Sequence, residues 1–136
     1  MTNNGRLDVV ATPAPVLKAM VGCIVTRLGI DDSFTLALCG VDREFVLRID
    51  GNGEIEQDGT LTDFDPDIDP SSVLPLIGLL NQSIDDVELG KDGRLTLYSR
   101  KMRLTVMPSE HHVSWSVRGP NGSSASSIAE GRVVWE

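Results

Sequence analysis

Apolar positions at helical spacing open two stretches of the chain. In "APVLKAMVG", residues 14–22, Val16, Leu17, Met20 and Val21 fall three and four apart, a proline stands where a first turn tolerates one, and Gly22 sits where a left-handed cap ends the helix. "SSVLPLIGLLN", residues 71–81, reads the same way and stops at Asn81, which also tolerates that conformation. Behind each helix the period changes from that of a helix to that of strands. Val25, Leu28 and Ile30 precede a turn and then Leu36 and Leu38; Ile84, Val87 and Leu89 precede a turn and then Leu95 and Leu97. Each of these pairs, and Gly22 with Asn81, is separated by 59 positions. A third strand follows in each half, "EFVLRI" at 44–49 and "KMRLTV" at 101–106, with the alternation of a sheet that buries one face.

Turn residues place the hairpins at "DDS" (31–33), "DGNGE" (50–54), "KDG" (91–93) and "GPNG" (119–122). A fourth strand is expected at about 53–58 and its counterpart at 113–119, with Val113, Trp115 and Val117 on one face. "SSASS" reads as a loop on composition or as a weak edge strand, and "RVVWE" as a closing strand. The pattern predicts an α+β fold of two tandem helix-plus-antiparallel-meander repeats sharing one core. Residues 1–11 form a mobile segment in this reading and 12–136 a single domain: repeat one at 12–59, an acidic linker at 60–70, repeat two at 71–136.

That linker, "DFDPDIDPSS", carries Asp63, Asp65, Asp67 and Asp69 on alternate positions. Counted from Asp63 as an EF-hand loop, the glycine position holds Ile68 and the bidentate position Leu74, so the calcium motif fails. The prolines at 66 and 70 bias Asp65 and Asp69 toward extended backbone. An extended strut follows, with Ser72 the preferred N-cap because Pro75 then falls on the third helical residue, whose N–H has no partner to lose.

Charge narrows the choice of partners. A formal net charge of −8 over 136 residues disfavours nucleic acid and anionic membranes and suits either a basic protein partner or solubility alone, the commoner case. No apolar run approaches the roughly 20 residues of a membrane span and no secretory signal is visible, which points to the cytoplasm. Cys23 and Cys39 lack CxxC spacing; paired across the "DDS" hairpin they would share a sheet face, a possible redox pair, although core packing is the usual role of free cysteines. His111 and His112 are adjacent, so on an extended chain they point apart and cannot chelate one ion together. Of two tryptophans, Trp135 near the end of the chain is the better interface candidate.

"VGCIVTRLGIDDSFTLAL" (21–38), "DPSSVLPLIGLLNQSI" (69–84), "DGRLTL" (92–97), "WSVRGPNG" (115–122) and "GRVVW" (131–135) together carry a family likeness. On them the chain resembles an uncharacterised family of small actinobacterial proteins of unknown function, with its Gly-x-x-Val-Thr strand start, Asp-Pro-led helix and Trp-x-x-x-Gly-Pro-x-Gly turn. The resemblance runs from about residue 16 onward and departs at Asn81 and at "GVDREF" (40–45). It implies a fold and transfers no catalytic residue, metal or cofactor. The expected function is a non-enzymatic protein-interaction module, monomer or homodimer, whose acidic surface at Asp63, Asp65, Asp67 and Asp69, with Trp135, meets a protein partner. An immunity-type or accessory role is its sharpest form. The alternatives are a small metal-dependent enzyme built on the Asp63–Asp69 cluster and a small-ligand domain.

Overall fold

The computed structural model describes residues 15–30, 33–100, 102–128 and 131–135. The mobile segment expected at 1–11 lies outside the described residues, as do residues 31 and 32 of the first hairpin turn. Eleven strands are described: β1 (Ile24–Ile30), β2 (Phe34–Gly40), β3 (Arg43–Ile49), β4 (Gly53–Gln57), β5 (Thr60–Phe64), β6 (Asp86–Leu89), β7 (Leu95–Tyr98), β8 (Met102–Val106), β9 (Trp115–Arg118), β10 (Ser124–Ser127) and β11 (Val133–Trp135). They form two antiparallel sheets, one ordered β11-β10-β9-β3-β2-β1 and the other β5-β4-β8-β7-β6. Helix is scarce, so the α+β expectation holds only loosely and the domain is mostly β. The first helix is a single turn, α1 (Pro15–Lys18), which buries Val16 and Leu17. The second, Pro70–Leu79, is a 3-10 helix.

Strand order explains how the halves combine. Each three-strand meander is extended by strands from the other half: β9 and its neighbours lie beside β3, while β4 and β5 lie beside β8. The crossovers run side by side, with the Asp50 and Gly51 N–H groups donating to Ser114 O at 2.8 and 2.9 Å. Where the first edges of the two sheets meet, four backbone bonds tie 22–25 to 81–84. Gly22 N donates to Ile84 O and Asn81 N to Val25 O, both at 2.7 Å; Val25 N donates to Gln82 O at 3.0 Å and Ile84 N to Cys23 O at 2.9 Å. Adding 59 to one member of each couple and subtracting it from the other converts it into its mate. Gly22 at φ 90° and Asn81 at φ 68° both take the left-handed cap conformation.

One buried cluster fills the space between the sheets, including Leu36, Leu47, Ile49 and Trp115 from one and Ile55, Leu97, Leu104 and Val106 from the other. Burying each such side chain fully is worth roughly 1.5–3 kcal/mol. Trp115 also crosses the interface by hydrogen bonding, its Nε1–H donating to the Gly93 carbonyl at 2.9 Å. That hairpin loop is pressed against a second one. A Cβ on Gly93 would stand 2.2 Å from Gly131 O, and one on Gly131 would stand 2.1 Å from Asp92 O.

Four expectations are corrected. Residues 60–64 are not linker but the edge strand β5, joined to β4 by a two-residue turn in which Asp58 and Gly59 both have positive φ, 53° and 81°. Such a type I′ turn matches the twist of a hairpin, so it pairs the chain that charge had marked as a strut. The cap is Asp69, not Ser72: Asp69 is extended (φ −142°, ψ 97°), its Oδ1 accepts from Ser71 N at 3.1 Å, and Pro70 occupies the first helical position. Ser72 instead accepts the Asp65 N–H on its hydroxyl at 2.8 Å. Val113 is partly exposed, unlike Trp115 and Val117. Finally, an irregularity between Val25 and Arg27 shifts the β1–β2 register, so that Cys39 lies opposite Ile24 and Val25 opposite Leu38. A one-residue slip exchanges sheet faces. Cys23 is therefore buried, Cys39 lies near Thr26 and Glu44 on the outer side, and both thiols are free. Within "SSASS", Ser124–Ser127 form the strand β10, which is paired on both sides and is not the edge strand that the sequence offered as one reading.

Candidate functional site

The four aspartates separate into two kinds. Asp65 and Asp69 serve the backbone. Asp65 Oδ1 accepts from Asp67 N at 3.1 Å and Ile68 N at 3.4 Å, and Asp69 N returns to Asp65 O at 2.9 Å, closing a tight turn over 66–68. Asp69 caps the 3-10 helix, receiving the Ser71 hydroxyl at 2.7 Å as well as its amide. Asp63, on the outer face of β5, and Asp67, in the turn, are exposed. Among the described residues no three His, Cys, Asp or Glu side chains gather as a cation site. Asp63, Asp65 and Asp69 do border one depression of about 360 Å³, together with Glu54, Ile68 and Ser72.

Among these carboxylates and following them along the chain is apolar surface that the sequence reading missed. Ile68, at the tip of the turn, is 81% exposed. The 3-10 helix then sorts its side chains with a period of three. Val73, Leu76 and Leu79 form the buried stripe, while Leu74, Ile77 and Leu80, 50%, 50% and 38% exposed, form a ridge on another side. The signal was present as two interleaved i, i+3 series, but an α-helical reading merges them into one face.

The outer surface of the second sheet is polar and concave. Its central row runs Asp63, Glu54, Thr105, Thr96, Glu88 across all five strands, and the next runs Leu61, Glu56, Arg103, Tyr98, Asp86. Thr96 and Thr105 form a nearly buried floor, and longer side chains including Lys18, Arg94 and Arg103 rise around it to bound a trough of about 640 Å³. Arg103 pairs with Glu56 at 2.9 Å. Tyr98 donates its hydroxyl to Glu88 at 2.6 Å, and this bond, reinforced by burial, raises the phenol pKa above its ordinary 10.0.

The remaining sequence candidates lie elsewhere. Trp135 is on the core-facing row of β11, half-buried against the cluster. His111 and His112 are exposed in the connection between β8 and β9.

The fold thus defines a two-sheet antiparallel domain with little helix. No described helix is long and apolar enough to cross a membrane. The chain belongs to a family of unknown function, DUF6188, whose sequence profile matches residues 16–136. No curated protein and no solved structure matches it.

Proposed function

We propose that this protein is a non-enzymatic interaction module that binds a basic protein partner through the corner formed by the 66–68 turn and the 3-10 helix. The observation carrying this reading is the exposed apolar series Ile68, Leu74, Ile77 and Leu80, of which Ile68 shares a depression with Asp63 and Asp69 and the rest follow along the helix that Asp69 caps. An apolar centre bordered by charge is the usual anatomy of a docking surface, and exposed apolar side chains grouped on one ridge have more to gain from a partner than isolated ones. The net charge of −8 steers basic partners toward it. In its sharpest form this is an immunity-type or accessory role, in which the acidic corner masks a basic functional surface. The reciprocal bonding of 22–25 with 81–84 and the matched strand orders support a tandem repeat as the scaffold's origin.

The test is photo-crosslinking in native lysate from a probe placed at position 74, on the same exposed series. A single basic partner should be captured, lost in Ile77→Asp and retained in Val41→Asp, a change at an exposed turn in the other sheet. Equal capture by both variants, or capture of acidic proteins only, refutes the assignment.

A further inference from the structure

The β5 edge has properties that specify a mode of recognition, and the inference rests on the interaction-module reading above. The type I′ turn at Asp58 and Gly59 closes on the pair Gln57 and Thr60, which makes that pair hydrogen-bonded. Alternation then assigns the N–H and C=O groups of Thr60, Thr62 and Phe64 to β4 and turns those of Leu61 and Asp63 outward. β5 is the last strand of its sheet, and no other described strand pairs with these groups. Thr60–Phe64 has no lysine, proline or bulge to protect the open edge, and its one charged side chain, Asp63, repels acidic strands but not basic ones. Core coverage stops short of this edge too: Thr62, on the core-facing side, is exposed, as are Thr60, Leu61 and Asp63.

Charge decides what can add to it. At the turn end Arg103 is paired with Glu56 and Arg100 lies near Asp58. At the other end Asp63 stands beside Glu54, with Asp65 and Asp69 bordering the same depression, no cation among its lining residues, and Asp67 exposed in the adjoining turn. A second copy would bring an equally acidic edge against this one and is repelled. A basic strand is attracted.

We propose that β5 accepts an extended basic segment of another protein as an added antiparallel strand. On the outer face such a strand places one side chain opposite Asp63 and, two residues later, one opposite Leu61, which is 54% exposed. The recognised pattern is therefore a Lys or Arg, any residue, then Val, Ile or Leu, with further basic residues upstream toward Asp65 and Asp67. Main-chain bonds to Leu61 and Asp63 supply affinity and the outer-face pair supplies selectivity.

The probe is a labelled Lys-Thr-Lys-Thr-Val-Thr peptide, followed by fluorescence anisotropy at low salt. The intact protein should bind it, and Leu61→Pro should weaken binding at least tenfold. That substitution removes one outward N–H that the sheet does not use, so far-UV circular dichroism should be unchanged. Asp63→Lys should weaken binding to a similar extent. Independently of any variant, peptide should slow amide exchange at Leu61 and Asp63 in the wild-type protein. Binding that survives Leu61→Pro, exchange that does not slow, or no binding at millimolar peptide overturns the proposal, as does sedimentation showing a dimer that Leu61→Pro dissolves. A crosslinked partner lost in Ile77→Asp yet retained in Leu61→Pro would overturn strand addition while leaving the interaction-module reading standing.

Discussion

Replacing Trp115 with Phe tests how the two sheets are joined. The indole is fully buried, and its N–H is given to the Gly93 carbonyl, so the change removes a donor and leaves a buried acceptor without that bond. Stranding such an acceptor costs about 1–3 kcal/mol. The smaller ring also leaves roughly 40 Å³ unfilled, which at about 24 cal/mol per Å³ adds roughly 1 kcal/mol. The expected destabilisation is about 2–4 kcal/mol, a large part of the roughly 5–15 kcal/mol that holds a domain folded. At about 4 °C per kcal/mol for a chain of this size, the melting temperature should fall by about 8–16 °C. Urea unfolding followed by far-UV circular dichroism measures it, with the denaturant slope expected to stay constant. Trp135→Phe supplies the comparison, since that ring is half-buried at a sheet edge; it should cost less than about 1 kcal/mol. A Trp115→Phe variant within about 0.5 kcal/mol of wild type would refute the claim that this bond and this packing clamp the 90–93 hairpin onto the other sheet.

Three further outcomes follow from the geometry. Asp69→Ala should cost about 1 kcal/mol through the lost cap, whereas Asp67→Ala, at an exposed side chain without a bond of its own, should stay within about 0.5 kcal/mol; chemical denaturation of the two variants compares them. Gly59→Ala meets open space and should cost about 1–2 kcal/mol of left-handed strain, while Gly93→Ala adds a clash with the Gly131 backbone to the same strain and should lower the melting temperature considerably more. Tyr98 should ionise above pH 10.0 in an absorbance titration near 295 nm, and Glu88→Gln should bring its midpoint down toward the ordinary value. Because the folded state holds that phenolic proton more tightly, the bond's stabilisation is complete below the ordinary pKa and is lost as pH rises through the raised one.

Much of the scaffold could be read from the chain because its causes are local. Gly22 and Asn81 end helical turns by the one conformation they tolerate better than other residues, and alternation marked the inward positions of β2, β3, β7 and β8. The edge strand β5 was readable too, since Asp58–Gly59 is a hairpin dipeptide followed by Thr-Leu-Thr, but four aspartates drew attention to charge instead of pairing. The two kinds of aspartate were legible only in part: the Asp-Pro step ahead of the helix marked Asp69 as an acceptor for first-turn amides, whereas nothing local marked Asp65. Which carboxylate faces an amide depends on a bend at 66–68 that brings Asp69 N back to Asp65 O.

Sequence alone therefore determined where most strands and turns begin, most of the residues that the core takes, and that the chain is acidic, since hydrophobic period, turn chemistry and charge act over a few residues. Tertiary structure decided what joins what. It passed β4–β5 and β9–β11 to the opposite sheets, shifted Cys39 away from Cys23 through a register irregularity, chose a 3-10 helix that leaves Leu74, Ile77 and Leu80 outside, and left the Leu61 and Asp63 backbone open at an edge. Strand exchange, register and the open edge depend on contacts between segments distant along the chain, which no local pattern of residues encodes; the 3-10 helix left a local i, i+3 trace, but packing chose it over the α-helix.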